Sequence, residues 1–412
     1  MSGTPTFRIG LRHFDVADGQ SRSLLLDRKS FKPSIVGSIY EASLSRRFAS
    51  PNTLDSYLRC AQSLISWALE EDFNLDARLL SGKALEKPEI ERFSQWVEKG
   101  LLNKHGKLSR AAINTYNSRI QGAETMVRWF IDMYFDGRSH SLPRGAIIEG
   151  VLATSGRAWS NATKRRVSDD AAPDLEEETI SEIETFLKNA SQASKPEPRW
   201  VRAYLIWRLA IEFGFRIGEI LGLRLEDCPT RIDPAFRIVR ISDRNGPLDP
   251  RSRLAPRPKT LPRELAPILS NTAFPHLVVD YQIDHRLRHV LRPNGEKTFR
   301  PILSHQYLIV SNGGKPLPRS TASSFARAIS AEIGKPFTWH LARHAFFNRA
   351  YSAIAQIEDA SVRNLRLDDL VYWGGWEDPD SLNIYNKRDR QNRAKSALIL
   401  WGKQQQRWDA LG

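Results

Sequence analysis

The stretch "SPNTLDSYLRCAQSLISWALEED" leaves the early part of the chain little choice of structure. Leu54, Leu58, Ala61, Leu64, Ile65 and Ala68 recur at intervals of three and four, which gathers them on one face of an α-helix. Ser50 is a candidate N-cap, and Pro51 suits the first helical position, where its missing N–H removes no bond. The sequence predicts a second long helix from Ser109, with Ile113, Ile120, Ala123, Val127 and Phe130 on one side, and a shorter one over "PEIERFSQWVEKGL". Helices with single apolar faces pack on one another, so residues 46–150 read as a small helical bundle. Residues 1–45 mix apolar runs such as "SLLLD" with polar ones and predict no firm element, so they stand as an N-terminal segment of open role.

From Gly137 to about Pro173 the periodicity fades among Gly, Pro and Ser, which predicts an interdomain connection, a basic linker over residues 151–174. Its run Lys164, Arg165, Arg166 is either a solvated linker face or a set of phosphate contacts where two domains grip one polyanion. Residues 175–412 open with an acidic helix, "DLEEETISEIETFLKNA", and continue into the apolar helix "RWVRAYLIWRLAIEFG", which Gly214 ends. Short strands are predicted at "FRIVRIS", around "RPKTLPREL" and at "YLIVS", before helices return with "STASSFARAISAEIG" and "TWHLARHAFFNRAYSAI". The expected fold class is mainly α with a small β-sheet: a helical first domain and a mixed α/β second one.

Composition narrows the partner. Sixty-one Lys and Arg against 47 Asp and Glu give a net charge of +14, which suits a polyanion such as nucleic acid. The two cysteines, Cys60 and Cys228, lie far apart without His or Cys at ligand spacing, which points away from zinc sites and disulfides. There is no signal-peptide pattern, and no apolar run approaches the ~20 residues of a membrane span. The expectation is a soluble, cytoplasmic protein of a reducing compartment, with no membrane partner.

Three further places hold candidate chemistry. In "FGFRIGEILGLRLEDC", Arg216 stands between two apolar helices, where its five donors need an anion or an internal partner such as Glu219. In "FTWHLARHAFF", His340 and Arg343 are three residues apart and share one helical face, from which both can donate to phosphate oxygens. In "GGWEDPDSLNIYNKRDR", Trp376 precedes Tyr385 by nine residues. Taken singly, each is more readily a structural residue.

Taken together, Gly214, Arg216 and Glu219, then His340 and Arg343, then Trp376 and Tyr385 resemble the tyrosine recombinases, the phage-integrase family, in order and spacing. The Ser-Pro-x-Thr-Leu helix resembles that family's core DNA-binding domain, so the likeness covers most of the chain. It implies an N-terminal helical core-binding (SAM-like) domain and a tyrosine-recombinase catalytic domain. It also implies a double-stranded DNA partner and a homotetramer on paired DNA sites. Implied as catalytic are Arg216, His340, Arg343, Trp376 and Tyr385, with Lys259 assigned from "KTLPR", which is similar to the Lys-Thr-x-x-Arg turn of many integrases. Pro256, Pro258 and Pro262 are poor strand residues, and Arg253 or Arg257 could reach the phosphate instead. Arg257 and Arg263 join the linker cations as candidate DNA contacts. Trp376 stands where most members have histidine; an indole N–H can orient an oxygen but cannot carry a proton. Ala342 replaces the usual leucine, which bears only on packing.

The chemistry implied is attack of the Tyr385 phenol on a DNA phosphodiester, giving a covalent 3′-phosphotyrosine and a free 5′ hydroxyl. Arg216 and Arg343 would clamp the non-bridging oxygens, Lys259 would protonate the leaving oxygen, and His340 would help accept the phenol's proton. The intermediate keeps the phosphodiester energy, so no ATP, metal or other cofactor is expected. The tail "NKRDRQNRAKSALILWGKQQQRW" either packs on its own domain or, by the resemblance, docks on a neighbouring protomer. Rival readings are a type IB topoisomerase and a catalytically silent DNA-binding protein of the same fold.

Overall fold

The computed structural model describes the chain except residues 1–6, 16–20, 49, 137–141, 166–172, 231–232, 241–242, 245–248, 252–254, 257–259, 267–272, 287–289, 292–296, 299–302 and 410–412. The described residues are mostly helical, with three two-stranded antiparallel sheets. They form two compact units, residues 1–168 and 169–412.

The first unit begins with a hairpin of β1 (Ile9–Asp15) and β2 (Ser21–Asp27), paired from Ile9 opposite Asp27 to Asp15 opposite Ser21. Ser23, Leu25 and Asp27 alternate inward, as a half-buried strand requires. Two side chains of α2 (Pro51–Glu70) hold the hairpin: Ser66 Oγ accepts from the Ile9 N–H at 3.2 Å and Gln62 Nε2 donates to the Ile9 carbonyl at 2.7 Å. Residues 1–45 thus supply a hairpin and α1 (Ile35–Arg47), whose Val36, Tyr40 and Leu44 enter the same core. All six of the periodic α2 residues are buried, against α3 (Leu75–Leu80), α4 (Lys87–Lys99) and α5 (Arg110–Asp136).

The linker expectation needs correction over its first half. Residues 151–162 belong to a helix, α6 (Leu142–Ala162), with Trp159 fully buried and edge-on to Phe93 at 6.1 Å. The Tyr116 hydroxyl donates to the Ala162 carbonyl, and Asn117 exchanges two hydrogen bonds with the Lys164 backbone at 2.8 and 2.9 Å. Three glycines and short polar residues blur the periodicity of this helix in the sequence; among its described side chains Trp159 is the fully buried one, with Leu152, Ala158 and Ala162 packed against the same core.

The second unit is built on α8 (Pro198–Phe213), nearly every residue of which is buried. Around it stand α7 (Glu177–Ser191), α9 (Ile217–Gly222), α10 (Ala273–Asp280) with a π-helical turn, α11 (Arg319–Ile333) and α12 (Trp339–Ala355). A small sheet pairs β3 (Phe236–Ile238) with β4 (Arg263–Leu265); β5 (Val290–Leu291) and β6 (Lys297–Thr298) form the other pair. "YLIVS" is buried but is not a strand: it makes isolated bridges, Tyr307 with Arg224 and Val310 with Pro316.

The chain then runs through α13 (Ala360–Gly374) into the long α14 (Asn383–Asp409). The first turns of α14 dock on α12, with Ser352 Oγ donating to the buried Asp389 at 2.9 Å. Beyond Asp389 the helix leaves the unit, and Leu398 (67% exposed) and Trp401 (60%) face solvent. Among the described residues, 390–401 of the tail are exposed rather than packed on the second unit. Replacing Trp159 by Ala should cost the first unit about 3–5 kcal/mol, as removal of a buried aromatic does. Urea unfolding followed by the first unit's own transition would read it; an unchanged midpoint would mean that α6 adds nothing to the core.

Candidate active site

Helix α8 ends at Gly214, whose φ of 64° only glycine adopts freely, and a Cβ there would lie 2.5 Å from the Phe346 ring. The chain turns at once into α9, with Arg216 as N-cap in extended backbone. Glu219, three residues on, reaches back to accept the Arg216 backbone N–H at 2.8 Å. Its carboxylate is fully buried and also accepts from the Thr260 hydroxyl and from both Nη atoms of Arg263, each at 3.1 Å. Burial alone would raise the Glu219 pKa, but Arg263 and then Arg343 outweigh it and hold the carboxyl below its ordinary value.

Arg263 was expected at the DNA, and the structure corrects this. Its side chain is 1% exposed and bonded to Glu219, and its Nε donates to the Trp373 carbonyl at 2.7 Å. Gly375, at φ 61°, allows the approach; a Cβ there would sit 2.6 Å from Arg263 Nη1. Arg263 therefore braces the site from within. Lys164 pairs with Glu98 at 3.0 Å and lies over the Tyr116 ring, and Arg165 is exposed. Lys259, Arg166 and Arg257, with Arg253, lie outside the described residues.

The structure brings Arg216, His340, Arg343, Trp376 and Tyr385 together. Arg343, from α12, donates through Nη1 to the Gly214 carbonyl and through Nη2 to the Gly374 carbonyl at 3.1 Å. Arg216 Nη1 reaches that same Gly374 carbonyl at 3.4 Å, so one peptide oxygen at the end of α13 holds both guanidinium groups. Such a carbonyl lacks an intrahelical donor and sits at the negative end of the helix dipole, which suits two cations. The Arg343 guanidinium lies 4.6 Å from the Phe347 ring centroid and 5.4 Å from that of Trp376. Tyr385 packs within the same cluster, its ring 5.8 Å from Trp376, 5.6 Å from Phe347 and 5.7 Å from His344.

The protonation states follow from this packing. Burial drives the Tyr385 phenol up to about 12, although Arg343 and Arg216 pull it down. The phenol is therefore neutral at pH 7. Burial brings Arg343 down to about 9, with Arg216 beside it adding to the effect, and it remains cationic. His340, although exposed as a residue, is lowered by partial desolvation of its ring and then by Arg343 and Arg216. His344 falls to about 3 through burial, His340 and the two arginines. Its Nε2 lies 2.8 Å from His340 Nε2. Among the described residues no group of three His, Cys, Asp or Glu stands ready to hold a metal ion.

The sequence reading missed His344, Thr260 and the inward role of Arg263. His344 had a visible signal, since it follows His340 by one helical turn in "HLARH". Thr260 and Arg263 had none, because their partner Glu219 is some forty positions away in the chain.

Two outcomes follow. Glu219→Ala should destabilise the second unit by about 3–5 kcal/mol, since it strands Arg263 as a buried, unpaired charge; denaturant melts would check it, and Glu219→Ala with Arg263→Met should cost less than Glu219→Ala alone. The histidines carry a pH dependence. Unfolded histidine binds a proton near pH ~6.5, whereas the folded His344 ring refuses it until about pH 3. Stability therefore falls as pH drops below that of ordinary histidine, because the unfolded state binds more protons. The loss in urea midpoint between pH 7.5 and pH 5 should be smaller in His344→Phe than in the parent.

No protein-family model matches the chain, and no curated protein matches it in sequence. Solved structures do. The Tn1549 transposon integrase in complex with a circular intermediate DNA is 15% identical, with a TM-score of 0.50 over 85% of this chain and 94% of that one. The XerH site-specific recombinase bound to a palindromic difH substrate is 16% identical, with a TM-score of 0.48 over 85% of this chain and 80% of that one. A lambda integrase dimer bound to a core site is 15% identical, with a TM-score of 0.38 over 92% and 95%. Through the Tn1549 integrase likeness, the fold of this chain is that of the tyrosine recombinases.

Proposed function

We propose that the protein is a site-specific DNA recombinase or integrase that cuts and rejoins strands through a covalent 3′-phosphotyrosine. One observation carries the reading: Arg216 and Arg343 converge on a single carbonyl, and both act electrostatically on Tyr385 and His340. Arg216 and Arg343 lie 3.7 and 3.9 Å from the one Glu219 carboxylate that Arg263 already engages, so three guanidinium groups share a single acid and a further anion would balance them. A phosphodiester supplies that anion. The Tn1549 integrase, XerH and lambda integrase structures hold DNA, which agrees with this partner.

In the reaction proposed, the phenol oxygen of Tyr385 attacks phosphorus, the 5′ oxygen leaves with a proton, and the phenol's proton passes to a base that His340 helps to provide. Arg216 and Arg343 hold the non-bridging oxygens, whose negative charge grows in the transition state. Trp376 walls the site and can orient one oxygen through its indole N–H. Lys259 is proposed as the donor to the leaving oxygen. Religation reverses these steps with another 5′ hydroxyl and consumes no ATP.

Tyr385 is only 2% exposed, so attack requires the first turn of α14 to shift and deliver the phenol. Movement of the nucleophile with its helix links cleavage to whatever engages the tail. We propose that the exposed Leu398, Ile399, Leu400 and Trp401 dock on a second protomer, in a tetramer on paired DNA sites. The first unit, through Lys164, Arg165 and Arg166, and the second, through Arg257, are proposed to contact the phosphates of duplex DNA. No described helix is long and apolar enough to cross a membrane.

The test is a nicked DNA substrate that traps the adduct. The parent protein should become covalently linked to DNA and Tyr385→Phe should not; DNA binding without an adduct from either would leave a silent binding protein. Arg216→Ala and Arg343→Ala should each lower the rate of adduct formation by about 100-fold or more, as loss of a transition-state donor does. Relaxation of supercoils without strand exchange would instead indicate a topoisomerase.

A further inference from the structure

His340 and His344 stand one turn apart on α12, with their Nε2 atoms 2.8 Å apart and ring centroids at 4.2 Å. Two neutral imidazoles can make that bond only if one Nε2 carries hydrogen and the other a lone pair. The rings can share the hydrogen in two ways. If His340 donates, the hydrogen of His344 sits on Nδ1, which is buried and has no hydrogen-bond partner. If His344 donates, its Nδ1 is a bare acceptor. Buried orphan N–H groups are the rarer of the two, and the nearby positive charges favour a lone pair over a further N–H. The groups that act on the ring are His340 and Arg343 on α12, Arg216 at the start of α9, and Tyr385 on α14, and none of them offers Nδ1 an acceptor.

We propose that His344 is a positioning residue: its Nε2–H donates to His340 Nε2, which leaves the hydrogen of His340 on Nδ1. His340 is exposed at the second position of α12, where the helix N-terminus already disfavours an imidazolium. Fixed in this tautomer, it meets an anionic substrate as a hydrogen-bond donor. It takes up a proton only at Nε2, and only by giving up the bond from His344. This narrows the part played by His340 in the function proposed above, on which its consequence for DNA cleavage rests. The tautomer itself is independent of that function. The contact of the His344 ring with Tyr385 also sets the pair directly behind the nucleophile.

Spectra of the full-length protein labelled with 15N-histidine, without DNA, test the tautomers directly. His344 should carry hydrogen on Nε2 and His340 on Nδ1, assigned by difference against His344→Gln and His340→Gln. The reverse pattern would overturn the proposal. On nicked DNA at saturation, His344→Phe should lower the rate of adduct formation at least ten-fold. It should also raise the acid limb of the pH profile towards that of ordinary histidine, because His340 Nε2 is then free to protonate. His344→Gln keeps a donor near the Nε2 position and should recover most of the rate and the original acid limb. Parent-like rates and pH profile in His344→Phe would overturn the positioning role. If the parent itself forms no adduct, the recombinase reading fails while the spectra still decide the tautomer.

Discussion

The buried carboxylate of Glu219 is the tie on which the second unit's site depends. It accepts from the Arg216 backbone, from Thr260 and from two nitrogens of Arg263, and so joins the start of α9 to β4. Arg263 extends the tie to the end of α13 through the Trp373 carbonyl. A charge taken out of water is stable only when paired and hydrogen-bonded, and this one is satisfied on both oxygens. Because Glu219 absorbs Arg263, the cations left beside Tyr385 among the described residues are Arg216 and Arg343. Arg343 lies 3.9 Å from Glu219, without a direct hydrogen bond.

From that frame follows the state of the phenol. Tyr385 sits in an aromatic cluster with Phe347, Trp376 and His344, and desolvation dominates the pull of two nearby guanidinium groups. The cluster is thus assembled while the phenol is still neutral. A phosphate entering between Arg216 and Arg343 would compensate their charge, and displacement of α14 would expose the phenol to it. Under the proposed function, the cost of crowding cations in a poorly solvated place would be met by a substrate that is itself an anion.

Some of this was legible in the residues. The α2 face, the stop at Gly214, and the order of Arg216, His340, Arg343, Trp376 and Tyr385 are local patterns or short spacings, and a linear reading sees them. Helix α6 reads as a linker because Gly145, Gly150 and Gly156 interrupt it and, among its described side chains, Trp159 is the one fully buried. "YLIVS" has the composition of a strand, yet pairing depends on neighbours elsewhere in the chain. Arg263 shows the limit most clearly: one more basic residue in a basic loop, it points inward because a carboxylate forty-four positions earlier waits there.

The chain's own residues determined the helices, their buried faces and the set of groups able to handle a phosphodiester, since periodicity and side-chain chemistry are properties of short segments. Only the tertiary structure decided which arginine faces a substrate and which neutralises a buried acid, that His344 tethers His340, and that the phenol rests out of solvent. Those outcomes depend on distance through space, on dielectric and on competition among partners, none of which is written at any one position.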